Sequence, residues 1–208
     1  MVTTRDKLGL LVALVGVAAL LWFGLQHFNA TSAATPSPPP PIPTAGQRGA
    51  VISYLKHLER IDAPVESRER HGGVVLHHEL ANPGAMSATA HQQIEAIASA
   101  YSGGASQVRH VHPAAGFEQA QQLLAKTYDD QAILYHSILQ LSNGKTVQSD
   151  PNAVLDELTR INNALGAFNH DLTACRAAFR ESTATAGVPY PAWVAALINH
   201  ATGKSSAP

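Results

Sequence analysis

The chain has 208 residues, 45% of them hydrophobic and only 14% charged, with 14 Lys and Arg set against 15 Asp and Glu. That length suits one ordinary domain plus accessory segments. The balanced charge excludes the basic field and stripe of a nucleic-acid binder. The single cysteine, Cys175, excludes an internal disulfide framework and a Cys-pair zinc site.

Residues 1–7 carry Arg5 and Lys7, and the run from Leu8 to Leu25 follows without a charged or strongly polar side chain. A helix over that run is roughly 27 Å long, close to the hydrocarbon thickness of a bilayer. Trp22, Phe23 and Phe28 lie at its distal end, where interfacial aromatics belong. The sequence therefore predicts a transmembrane signal-anchor helix over 8–28. Positive charge before the run, and none after it until Arg48, orients the N-terminus to the cytoplasm and the rest outside it, in the periplasm of a Gram-negative cell. The alternative is a secreted protein released by signal-peptide cleavage near Ala30, Ser32 and Ala34. An apolar run longer than the usual signal core favours the anchor. No cysteine stands near the end of the run to carry a lipid.

Residues 29–46 form a proline-rich linker, with six prolines between Thr31 and Gly46. Proline removes backbone donors and fixes φ, so this stretch favours extended polyproline II. It can hold the following domain up to roughly 50 Å from the membrane.

Residues 47–204 read as an exported helical domain. Its first face is Val51, Tyr54, Leu55, Leu58, Ile61 and Val65. Pro64 interrupts this face, and Asp62 suits the cap of a restarted helix. The preferred reading is one kinked helix to about residue 82, although 66–82 also admits a short strand around Val74 and Val75. A second stripe is Ile94, Ile97, Tyr101, Gly104, Val108 and Val111. Thr89 and Gln92 have capping-box spacing at its start. Gly103 and Gly104 weaken it, but its phase persists across them. A third stripe, Ala120, Leu124, Thr127, Gln131, Leu134, Ile138 and Leu141, is polar in its middle and is broadened by Leu123, Tyr128, Ile133 and Tyr135. The strongest is Val154, Leu158, Ile161, Leu165, Phe168, Leu172, Cys175 and Phe179, a coiled-coil-like heptad stripe. It predicts a long helix over 151–186, started by Asp150 and Pro151 and stopped by Gly187 and Pro189. A short helix over 191–202 carries Trp193, Val194, Leu197 and Ile198 on one face.

The predicted fold is thus all-α: an N-terminal transmembrane helix, a proline-rich linker, and an antiparallel up-down-up-down four-helix bundle. The short C-terminal helix closes one end of the bundle, with Trp193 capping the end nearest the membrane.

Eleven histidines are the compositional oddity. The metal candidates are His91 and Glu95, four apart on one predicted helix, with His77 and His78 on the preceding segment. Helical spacing of four lets two ligands reach one ion. No Glu-x-x-His pair occurs, and the His-His-Glu-Leu run at 77–80 lacks the second histidine of a zinc-protease helix. Ser142 to Thr146 ends like a phosphate loop but lacks its upstream glycine. Cys175 sits on the apolar stripe as a buried thiol. Asp129-Asp130 and Asp156-Glu157 read as solvated faces. Asn162, Asn163, Asn169 and His170 flank the main stripe, where they can set helix register or line a cleft. No catalytic residue and no cofactor signature stands out.

The resulting expectation is a non-enzymatic, membrane-anchored extracytoplasmic domain for protein–protein interaction or scaffolding. Its partners are the membrane, through the N-terminal helix, and an envelope protein or a second copy of itself. The alternative is a small-molecule or metal-binding sensor bundle that uses its histidines.

Overall fold

The computed structural model describes residues 43–81, 86–142 and 151–197, without the side chains of 76–81, 142, 151, 153 and 154. The described part is all-helical: α1 (Ala45–Ala81), α2 (Ala88–His110), α3 (Glu118–Ser142), α4 (Pro151–Ala186) and the short α5 (Ala192–Ala196). The four long helices pack against one another. The predicted anchor over 8–28 and nearly all of the 29–46 linker lie outside the described residues. Among the described residues, no helix is long and apolar enough to cross a membrane.

Helix α1 begins at Ala45 because Thr44 and Gln47 form a capping box. The Gln47 amide donates to Thr44 Oγ1 at 3.3 Å, and the Thr44 amide donates back to Gln47 Oε1 at 2.8 Å. The helix then runs unbroken through Pro64 to Ala81. It does not restart at Asp62, and residues 66–81 are not a strand. Pro64 lies on the exposed side, so the carbonyl it leaves without an amide partner faces water. Asp62 is buried and serves another purpose, described below.

Ser87, rather than Thr89, caps α2: its hydroxyl accepts from the Ala90 amide at 3.1 Å. The helix continues through Gly103 and Gly104. Gly104 is buried where α2 meets α1 and α3, and a Cβ there would lie 3.0 Å from both Val65 Cγ2 and Tyr128 Cδ2. The glycine is what lets these helices approach so closely. Helix α4 ends in a Schellman turn. Gly187 adopts φ 61°, the Val188 amide bonds Thr183 O at 3.0 Å, and the Gly187 amide bonds Ala184 O at 3.1 Å.

Cross-helix pairs fix the directions. Glu69 meets Tyr101 and Tyr54 meets Gln121. Lys126 meets Asp171, and Ser182 meets Gly116 at the start of α3. Sequential helices therefore run antiparallel, and α1 and α3 lie diagonally across the bundle. The main core gathers Leu58, Val65, Ile97, Tyr101, Val108, Phe117, Leu124, Tyr128, Phe179 and Val194. A smaller core of Leu134, Ile161, Ala164 and Leu165 joins α3 to α4 nearer the other end.

Helices α1 and α4 approach each other only briefly. The chain after Gly187 fills the seam between them. Tyr190 lies under the Arg180 guanidinium, 5.6 Å from its ring centroid, Phe179 meets Trp193 edge-on at 5.8 Å, and Arg176 donates to Ala195 O. Residues 188–197 thus climb back along α4. Trp193 is buried in this seam and does not lie across the bundle end, which corrects the expected cap. The left-handed Gly187 turns the chain back, so its apolar face meets the α1–α4 groove. Residues 198–202 of the predicted helix lie outside the described residues.

Candidate functional site

The interior holds more polar chemistry than the apolar stripes suggest. Asp62 and Glu69 lie seven apart on α1, and Gln121, Tyr128 and Tyr135 lie seven apart on α3. Seven residues is two helical turns, so each set shares a face. With Tyr54, eight residues before Asp62 on α1, the two sets meet in a three-rung ladder across the bundle diagonal. At the first rung the Tyr54 hydroxyl donates to Gln121 Oε1 at 2.7 Å. Gln121 Nε2 in turn donates to the carbonyls of Val108 and Val111, at 2.8 and 2.7 Å, and so caps the end of α2. At the second rung the Tyr128 hydroxyl donates to Asp62 Oδ1. At the third, Glu69 accepts from Tyr101 at 2.7 Å and from Tyr135 at 3.2 Å.

The rings themselves pack. Tyr101 meets Tyr128 edge-on at 5.6 Å and stacks on Tyr135 at 6.0 Å. Burial, and then the Glu69 carboxyl, pushes the Tyr101 and Tyr135 hydroxyls well above their ordinary range. Burial and Asp62 do the same to Tyr128. These phenols therefore stay protonated and act as donors. Asp62, Glu69, Tyr101 and Trp193 also line a crevice of about 10 Å³ under α5. That is about the room one water needs. The arrangement ties α1, α2 and α3 to one another, with its acids and phenols bonded together inside the bundle.

A second cluster joins α3 to α4. Asp171 is 2% exposed and Asp130 9%. Lys126 Nζ lies 2.7 Å from Asp171 Oδ2, and His170 Nδ1 lies 3.0 Å from Oδ1. Asp130 Oδ2 is buried with no hydrogen-bond donor. Burial, followed by the hydrogen bond and charge of Asp171, pushes Asp130 up to about 6. Burial also pushes Asp171 upward, but its hydrogen bonds from Lys126, His170 and Asp130 hold it below its ordinary value. Glu157, nearer the start of α4, is also buried and pairs with Arg160 at 2.9 Å. Asp130 and Glu157 therefore do not form solvated faces. Their adjacent acids differ: Asp129 pairs with Arg109 on the surface, and Asp156 is exposed.

The sequence candidates fall elsewhere. His91 is half-buried and Glu95 exposed, one turn apart near the start of α2. The side chains of His77 and His78 lie outside the described residues. Among the described residues, no group of three or more His, Cys, Asp or Glu is placed to hold a metal ion. Asn162, Asn163 and His170 are exposed and Asn169 half-buried, so none of the four is packed inside the bundle. Cys175 is fully buried, with its thiol pushed up to about 12 by burial.

In the sequence, apolar periodicity masks the ladder. Its one signal was the seven-residue repeat of Gln121, Tyr128 and Tyr135 facing acids with the same repeat. No family model, curated protein or solved structure matches this chain.

Proposed function

We propose that the chain is a single-pass membrane protein whose helical bundle stands outside the cytoplasm and acts in protein–protein interaction or scaffolding, without catalysis. The observation that carries this reading is the uncharged run from Leu8 to Leu25, preceded by Arg5 and Lys7 and followed by the proline-rich linker. An anchor and a stiff spacer serve to hold a folded domain at a set height above a membrane. The buried polar groups fit the same reading, since they bond one another inside the bundle rather than opening to a ligand. Val74 on α1, Ile133 on α3 and Leu155 on α4 remain exposed, with Val74 at 71% and Leu155 at 67%. With Ile52 on α1, 40% exposed, these are apolar points that the described residues offer for contact with an envelope protein or a second copy of the chain.

Photocrosslinking amino acids placed at Val74, Ile133 and Leu155 of the full chain, in intact membranes, test this proposal. The expected result is a discrete adduct with a membrane or envelope protein, or with a second copy. Absence of any adduct at all three positions overturns it.

The alternative is a metal-sensing bundle that uses His91 and Glu95, with His77 and His78. Tag-free protein titrated with Zn, Cu and Ni should then unfold at higher temperature, and a His91→Ala variant should lose the shift. Unchanged melting with all three metals removes that alternative.

A further inference from the structure

Residues 188–197 bridge the seam between α1 and α4, and they hold its two walls in different ways. On the α4 side the contacts are specific. Trp193 meets Phe179 edge-on, Tyr190 lies under the Arg180 guanidinium, and Arg176 donates to Ala195 O. On the α1 side, Trp193 and Leu197 border a crevice of about 10 Å³ whose other wall is Asp62, Glu66, Glu69 and Tyr101. Apolar side chains there meet a polar wall across the room of one water, which is a loose contact.

The segment is built to come and go as a unit. Helix α5 has five residues and no side-chain cap at Pro191. A helix so short forms only while it is docked. Its docking buries Val188, Trp193 and Val194, and that gain is set against the entropy of ordering about ten residues. The rest of the bundle is tied without it. The tyrosine ladder joins α1, α2 and α3. Lys126 with Asp171, and Ser182 with Gly116 O, join α3 to α4. Gly187, at φ 61°, supplies a pivot. Pro189 and Pro191 stiffen the arm that follows.

We propose that residues 188–197 are a detachable latch between α1 and α4. The latch swings out about Gly187 as one unit, unfolding α5 and opening the seam, while the four long helices stay packed. The bundle then has a latched and an unlatched state, and Asp62 and Glu69, buried in the first, gain access to solvent in the second.

Hydrogen exchange on full-length protein in detergent tests this proposal. The Ala195 and Leu197 amides, bonded to Pro191 O and Trp193 O, should share one opening equilibrium. That equilibrium should be about a hundredfold or more above that of core amides such as Leu124 and Leu172. Trp193→Ala should speed exchange at Ala195 and Leu197 by one common factor of about tenfold or more, with Leu124 and Leu172 unchanged. Arg176→Gln, which loses the bond to Ala195 O, should do the same by about tenfold. Protection at Ala195 and Leu197 equal to that of the core overturns the proposal. So does an equal loss of protection at Leu124 and Leu172 in either variant, which would make the segment integral to the fold. Different factors at Ala195 and Leu197 would mark end fraying and also overturn it. If these two amides exchange too fast to follow, Trp193 fluorescence in a Trp22→Phe background decides. Its change at lower denaturant than the loss of helical circular dichroism supports the latch, and coincident transitions overturn it.

Discussion

Gly103 and Gly104 are adjacent in α2, yet replacing each with alanine should move stability in opposite directions. At Gly103 a new Cβ meets nothing within 4 Å. Alanine there gains helix propensity, and the bundle should be more stable by roughly 0.5–1 kcal/mol. At Gly104 the same gain of about 1 kcal/mol is opposed by crowding. The new Cβ would lie 3.0 Å from Val65 Cγ2, 3.0 Å from Tyr128 Cδ2 and 3.1 Å from Tyr128 Cε2. Neither neighbour can withdraw. Val65 is 3% exposed and Tyr128 1%, and the Tyr128 ring is held by its bond to Asp62 and its contact with Tyr101. Overpacking of this kind costs about 1–3 kcal/mol, so Gly104→Ala should lose about 0–2 kcal/mol net. The two variants should differ by about 1–3 kcal/mol, or roughly 3–10 °C in melting temperature for a domain of this size. Denaturant unfolding followed by circular dichroism on both full-length variants measures the gap. Equal stabilisation by the two alanines would refute the close approach of α1, α2 and α3 at Gly104.

Two other outcomes follow from the interior. Tyr128→Phe should cost about 1–3 kcal/mol, because Asp62 loses a buried donor, and pairing it with Asp62→Leu should cost less than the sum of the two single changes; strict additivity in denaturant unfolding would contradict the ladder. Cys175, buried and with its thiol pushed up to about 12, should resist a maleimide reagent in native protein at pH 8 and react within minutes in denaturant, so fast native labelling would contradict its burial.

Much of the bundle was legible in the sequence because its apolar residues keep phase. From Ile161 to Phe179 every stripe residue of α4 is buried, and in α2 the phase survives Gly103 and Gly104. The polar interior was not legible, for a physical reason. An acid on a core-facing position reads as a cap or a surface charge until its partner is known. The partner of Asp62 lies 66 residues away, as does that of Glu69 on α3. Asp130 and Glu157 misled in the same way, since neighbouring acids on a helix can point to different faces, one outward and one into a packed seam. Pro64 signalled a break, but on the solvent side of a long helix it is tolerated. The path of residues 188–197 depended on Gly187 and on how little α1 and α4 touch, and local pattern reports neither.

The proposed role requires that the apolar run from Leu8 to Leu25 carry this bundle across a membrane. A reporter enzyme active only outside the cytoplasm, fused after Pro208 of the full chain and compared with one active only inside it, tests this most directly. The first reporter should be active and the second silent; activity from the cytoplasmic reporter alone would contradict the proposed topology.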